Sequence, residues 1–91
     1  MVGNIAVSMA GHDKGNAYVI VKEDHEYVYL CDGNLKLLER PKKKSGKHVA
    51  VNKSFDTGET GRKLFAGEKV YDTEIKRILK LYKMHVKKTE V

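Results

Sequence analysis

One cysteine, one proline and no long apolar run mark this sequence, and each scarcity removes a class of explanation. A lone Cys31 cannot form an internal disulfide or a Cys-x-x-Cys metal or redox pair. Set in the apolar run Tyr27-Val28-Tyr29-Leu30-Cys31, it reads as a small packing residue. His12, His25, His48 and His85 form no close ligand pair on one helix, so a structural zinc site is not expected. Neither a Ser/His/Asp arrangement nor a paired-carboxylate signature is present, and Gly61-Arg62-Lys63-Leu64 lacks the Lys-Ser/Thr pair of a phosphate loop. The expectation is a protein with no catalytic residues, no metal, no cofactor and no small-molecule substrate. The start Met1-Val2-Gly3-Asn4 lacks the basic and apolar segments of a signal peptide. With no stretch of about 18 apolar residues either, a cytoplasmic protein without a membrane partner is expected.

What is abundant is positive charge, unevenly placed. The 91 residues carry a net charge of +6 at 41% hydrophobic composition, enough for one modest core. Residues 1–39 hold three basic groups against six acidic ones, a balance of −3, whereas residues 40–91 hold fifteen against six, a balance of +9. A near-neutral body followed by a cationic half suits a phosphate-bearing or acidic partner.

The body reads as strands and turns. Ile5, Val7 and Met9 share one face of a period-two strand with Ala6 and Ser8 opposite. Ala10 to Asn16 forms a loop shaped by Gly11 and Gly15, and Ala17-Tyr18-Val19-Ile20-Val21 pairs with Tyr27–Cys31 as a hairpin. Asp32-Gly33 signals a tight turn into a fourth strand at Leu35–Leu38, which Pro41 ends. Lys42-Lys43-Lys44-Ser45-Gly46-Lys47 then reads as an exposed basic loop, too polar to bury. His48–Asn52 supplies a fifth strand with Val49 and Val51 inward, and five short strands invite closure into a barrel. Residues 53–71 form a loop-rich connector with a turn of helix near Arg62–Ala66. Ile75, Ile78, Leu79 and Tyr82 recur at helical spacing behind an Asp72 cap, with Lys76, Arg77, Lys80 and Lys83 on the other face. The chain thus divides into a barrel over 1–52, the connector, and a basic amphipathic helix and tail over 72–88, all within one domain.

Ile5–Gly15 followed by Tyr18–Val21 resembles the KOW motif, a strand, a glycine-bearing loop and a second strand. Asp32-Gly33, Leu37, Pro41-Lys42-Lys43-Lys44 and Lys47-His48-Val49 extend the resemblance. They are similar to short bacterial KOW-domain proteins related to large-subunit ribosomal proteins of the L-fourteen-e class, over roughly residues 3–51. The resemblance implies a mainly β fold, a small SH3-like barrel of about five strands with a C-terminal α-helix. It also implies RNA, above all ribosomal RNA, as ligand, with ribosomal proteins as neighbours. Lys14 lies at the tip of the first loop, Gly33 shapes a later turn, and Lys42, Lys43, Lys44 and Lys47 form the basic run, with Arg40 and His48 beside it. Asn16 stands where the family commonly has a basic residue. If the run is an exposed loop, its replacement by alanine weakens RNA binding and leaves the fold intact. Tyr18, Tyr27 and Tyr29 are candidates for stacking on bases or for packing on the sheet.

Two alternatives stand beside RNA binding. One is a protein-interaction module of the translation or transcription machinery, with the helix face Ile75, Ile78, Leu79 and Tyr82 serving a partner. The other is DNA binding, since lysines read charge and leave no mark that separates RNA from DNA. Gly58-Glu59-Thr60-Gly61 matches the GXXG form of KH domains, but its glutamate would repel phosphate.

Overall fold

Alternation of apolar residues at period two builds the first three strands, and a computed structural model shows how they are used; it describes residues 1–89. Five antiparallel strands run in chain order as β1 (Ile5–Ser8), β2 (Ala17–Asp24), β3 (Tyr27–Cys31), β4 (Lys42–Ser45) and β5 (Val49–Asn52), with a 3-10 turn at Gly46–His48. Two helices follow, α1 (Gly58–Ala66) and α2 (Asp72–Thr89). The sheet order is β4-β3-β2-β1-β5, so the last strand returns to pair with the first. This is the expected mainly β, barrel-like fold with a C-terminal helix, although the sheet is not closed. The two edge strands, β4 and β5, are joined by the 3-10 turn instead of by a ladder.

Each face of the sheet carries a buried apolar cluster, which explains why so small a chain needs a helix. On the inner face Ala6, Tyr18, Ile20, Val28 and Leu30 pack together with Val49 and Val51. On the outer face Ile5, Val19 and Cys31 are covered by Ile75, Ile78, Leu79 and Tyr82 of α2. The register Ile5↔Val19↔Cys31 sets three fully buried side chains in one row beneath the helix. At about 1.5–3 kcal/mol for each large apolar side chain removed from water, the helix contributes as much to the fold as the barrel interior does. The helical face proposed for a partner is therefore spent on the chain's own sheet.

Three expectations need correction. Leu35–Leu38 is not a strand, because the Asp32 carboxylate accepts from the Asn34 and Lys36 amides and Leu38 donates to Asp72 Oδ1 at 2.7 Å. Those amides are satisfied within a loop and at the helix end, and Leu35 is left 81% exposed. The fourth strand is the basic run itself, Lys42–Ser45, paired with β3 through Leu30↔Lys42, Val28↔Lys44 and Tyr27↔Ser45. The connector contains a full helix, α1, where a single turn was expected. It closes at Gly67, whose left-handed backbone (φ 77°) brings its amide to the Leu64 and Lys63 carbonyls.

The helices are fastened by close backbone approach. Thr57 Oγ1 donates to the Gly3 carbonyl at 2.7 Å; a side chain at Gly3 would strike the Gly61 backbone, and one at Gly61 would strike the Thr57 hydroxyl and crowd the Gly3 carbonyl. Gly61 of the GXXG-like segment is thus buried against Gly3 within α1 and forms no phosphate clamp. At the other helix, the Glu74 carboxylate reaches back to the Tyr71 amide at 2.9 Å, an N-terminal capping contact.

Candidate nucleic-acid interface

Because side chains alternate along a strand, three consecutive lysines cannot act together. Lys42 and Lys44 stand opposite Leu30 and Val28 and so belong to the inner face, whereas Lys43, opposite Tyr29, belongs to the outer one. The inward pair meets Asp13, carried over the mouth of the barrel by the Ala10–Asn16 loop. Lys42 Nζ donates to Asp13 Oδ2 at 2.6 Å and Lys44 Nζ to Asp13 Oδ1 at 2.8 Å. Ser8 Oγ and the Tyr18 hydroxyl donate to the same carboxylate at 2.8 and 3.2 Å, and Lys44 Nζ also reaches the Ala10 carbonyl at 2.8 Å. Asp13 is 8% exposed, yet every lone-pair direction is met.

The cage has an electrostatic signature. Hydrogen bonds from Lys42 and then Lys44, with help from Ser8, hold the Asp13 carboxyl far below the usual carboxylate range, against a desolvation effect of opposite sign. Reciprocally, the Asp13 hydrogen bond pushes the Lys42 ammonium upward. Burial, and then the Asp13 charge, raise the Tyr18 phenol. Tyr18 is accordingly an interior residue and is not free to stack on a base.

The other expected site residues divide by location. Lys14 is exposed at the tip of the loop, whose left-handed corners are Gly11 (φ 85°) and Gly15 (φ 91°). Lys47 and His48 are exposed on the 3-10 turn, which the Met9 amide ties to the same end of the barrel by bonding the His48 carbonyl at 2.8 Å. Lys14, Lys47, His48 and the Asp13 cage are thereby gathered around one mouth. Arg40 stays apart in the loop before β4, exposed, and its amide bonds the Leu37 carbonyl. Gly33 serves a different purpose, since its open Cα position lies against the backbone of Asp72 and Lys76 and lets the turn pack on α2. None of Lys14, Arg40, Lys47 or His48 enters an ion pair among the described residues.

Two further cationic features complete the surface. Lys76, Lys80, Lys83 and Lys87 fall at spacings of four, three and four on α2, hence along one exposed stripe, and Arg77 lies beside it. Acidic groups on this helix are confined to its first turn, at Asp72 and Glu74. On the outer face of the sheet, Lys43 Nζ lies 4.2 Å from the centre of the Tyr27 ring and Lys22 Nζ lies 5.2 Å from that of Tyr29. Lys22 was not singled out by the sequence. The irregular pairing between Ile20 and Lys22 brings it opposite Tyr29, and such an irregularity leaves no local residue signal.

These features define a small mainly β domain with a caged carboxylate at one end and exposed cations on its helix and loops. Among the described residues no helix is long and apolar enough to cross a membrane, and no cluster of three metal-ligating side chains is found. No protein-family profile matches the chain, and no curated protein matches it either.

Proposed function

We propose that this chain is a non-enzymatic RNA-binding protein of the KOW type that works in the cytoplasm on ribosomal RNA or close to it. The observation that carries the reading is the run of exposed cations on α2, four lysines in one stripe with Arg77 beside it and no acid beyond the first turn. Like charges three and four residues apart along a helix repel one another slightly, and a polyanion relieves that repulsion while each phosphate contact releases a counterion. Lys14 and Lys47 add exposed cations at the barrel mouth, and Arg40 adds one in the loop before β4. Lys42 and Lys44 shape the loop that presents Lys14 and contribute little charge of their own, being offset in part by Asp13. Resemblance to ribosome-associated KOW proteins favours RNA over DNA.

The test is equilibrium binding to structured ribosomal RNA fragments and matched DNA duplexes across a salt series. Tighter binding to RNA with a steep salt slope is expected. Replacing Lys76, Lys80, Lys83 and Lys87 by alanine should flatten the slope by about one for each lysine that meets a phosphate. No binding to either nucleic acid at low salt would overturn the reading and point to a protein partner.

A further inference from the structure

The outer face of the sheet is not uniform along its strands. Where β3 passes beneath α2, Cys31 is fully buried; beyond the helix, the same face continues through Tyr29 and Tyr27, half-buried and 40% exposed. Register sets Lys22 and Lys43 on either side of Tyr29, while Tyr27 lies between Asp24 and Ser45. The result is a row of two tyrosine rings on β3, each with a lysine ammonium above it. Neither ring takes part in the apolar clusters that hold the fold together.

From this arrangement we infer that the face formed by Lys22, Tyr27, Tyr29 and Lys43 is a stacking platform for two unpaired bases of a single-stranded RNA segment; the inference rests on the RNA-binding reading above. Backbone positions two residues apart on a strand are separated by roughly 6.6–6.8 Å. That matches bases splayed along an extended strand and not the rise of about 3.4 Å between bases of a duplex, which are in any case hidden in its stack. Aromatic rings on an exposed sheet face are accessible to bases, and every base has a π-face to offer. When a base takes the place of an ammonium over a ring, the long lysine stem lets that charge move to the adjoining phosphate. Asp24 and Glu26, exposed at the hairpin end, repel phosphate and set the limit of the platform on that side.

The platform predicts a preference that the helix stripe cannot supply. A labelled, unstructured ten-nucleotide oligouridine and an RNA hairpin duplex are compared at equal salt. The Tyr27→Ala/Tyr29→Ala protein is expected to lose roughly tenfold or more in oligouridine affinity while duplex binding holds. Tyr27→Phe/Tyr29→Phe, which keeps the rings, should stay within about threefold of the parent protein. In the unaltered protein, the ring resonances of Tyr27 and Tyr29 should shift when oligouridine is added and stay in place when the duplex is added. Oligouridine binding that leaves these resonances unmoved, or that survives loss of both rings, overturns the platform and leaves RNA binding by the helix standing. Binding to neither RNA overturns both.

Discussion

Lys42 and Lys44 on β4 and the four lysines of the α2 stripe carry the same functional group, and the structure uses them in opposite ways. The strand lysines point inward, are largely covered and share one carboxylate; Lys44 is 11% exposed. The helix lysines are exposed and face no acid beyond the first turn. A buried charge must be matched within the protein, whereas an exposed one is satisfied by water until a better partner arrives. Charge density in a sequence therefore does not measure charge available to a ligand, and backbone geometry decides which lysines belong to the fold.

The sharpest way to break the comparison is to remove the shared carboxylate. Asp13→Ala leaves two ammonium groups facing each other at the barrel mouth and should cost about 3 kcal/mol in unfolding free energy, read by urea denaturation. Replacing all three groups together, Asp13→Leu with Lys42→Met and Lys44→Met, should recover most of that loss, because no unpaired charge remains buried. If Asp13→Ala is as stable as the parent protein, the cage is not a structural element.

A smaller but more discriminating effect comes from crossing the two sets. Lys42→Ala with Lys44→Ala should destabilise by about 2 kcal/mol, since Asp13 keeps only the Ser8 and Tyr18 donors, and should leave the salt slope of RNA binding nearly unchanged. Alanine at Lys76, Lys80, Lys83 and Lys87 should do the reverse, flattening the slope with a stability change within about 0.5 kcal/mol. Equal behaviour of the two variants in both assays would erase the distinction.

Much of this was legible in the residues, and what was not has a physical cause. The β2–β3 hairpin, β5 and α2 announce themselves because their apolar residues recur at the period of the element that buries them. β4 gives no such signal, because the inner face of Lys42-Lys43-Lys44-Ser45 is made of lysines whose burial depends on Asp13, some thirty positions earlier. α1 was hidden for a related reason. Its seat depends on the approach of Gly61 to Gly3, a contact between two residues without side chains. In the candidate site, exposed Lys14, Lys47 and the helix residues Lys76, Lys80 and Lys83 were readable from sequence, while Lys87 was added by the longer helix, and Lys22 and the division of the lysine run required strand register.

The smallest effect concerns pH, and its sign follows from the same cage. Asp13 has a lowered folded pKa, so its contribution is complete above the ordinary value of 3.8 and drains away as pH falls below it, where the unfolded chain takes up a proton that the folded one refuses. Lys42 has a raised folded pKa, so its contribution is complete below 10.5 and is lost as pH rises beyond it, where the unfolded chain releases a proton that the folded one keeps. The cage thus imposes no slope on stability from about pH 5 to 9, with losses confined to the two extremes. Thermal melts near neutrality should show the Asp13→Ala penalty as a constant offset, which narrows toward acid pH, where the parent's Asp13 takes up a proton, and toward alkaline pH, where the facing ammonium groups of the variant give one up. A penalty that varies strongly near neutrality would mean that the carboxylate is not held by lysines at all, and with it would go the reason for separating the strand lysines from those of the helix.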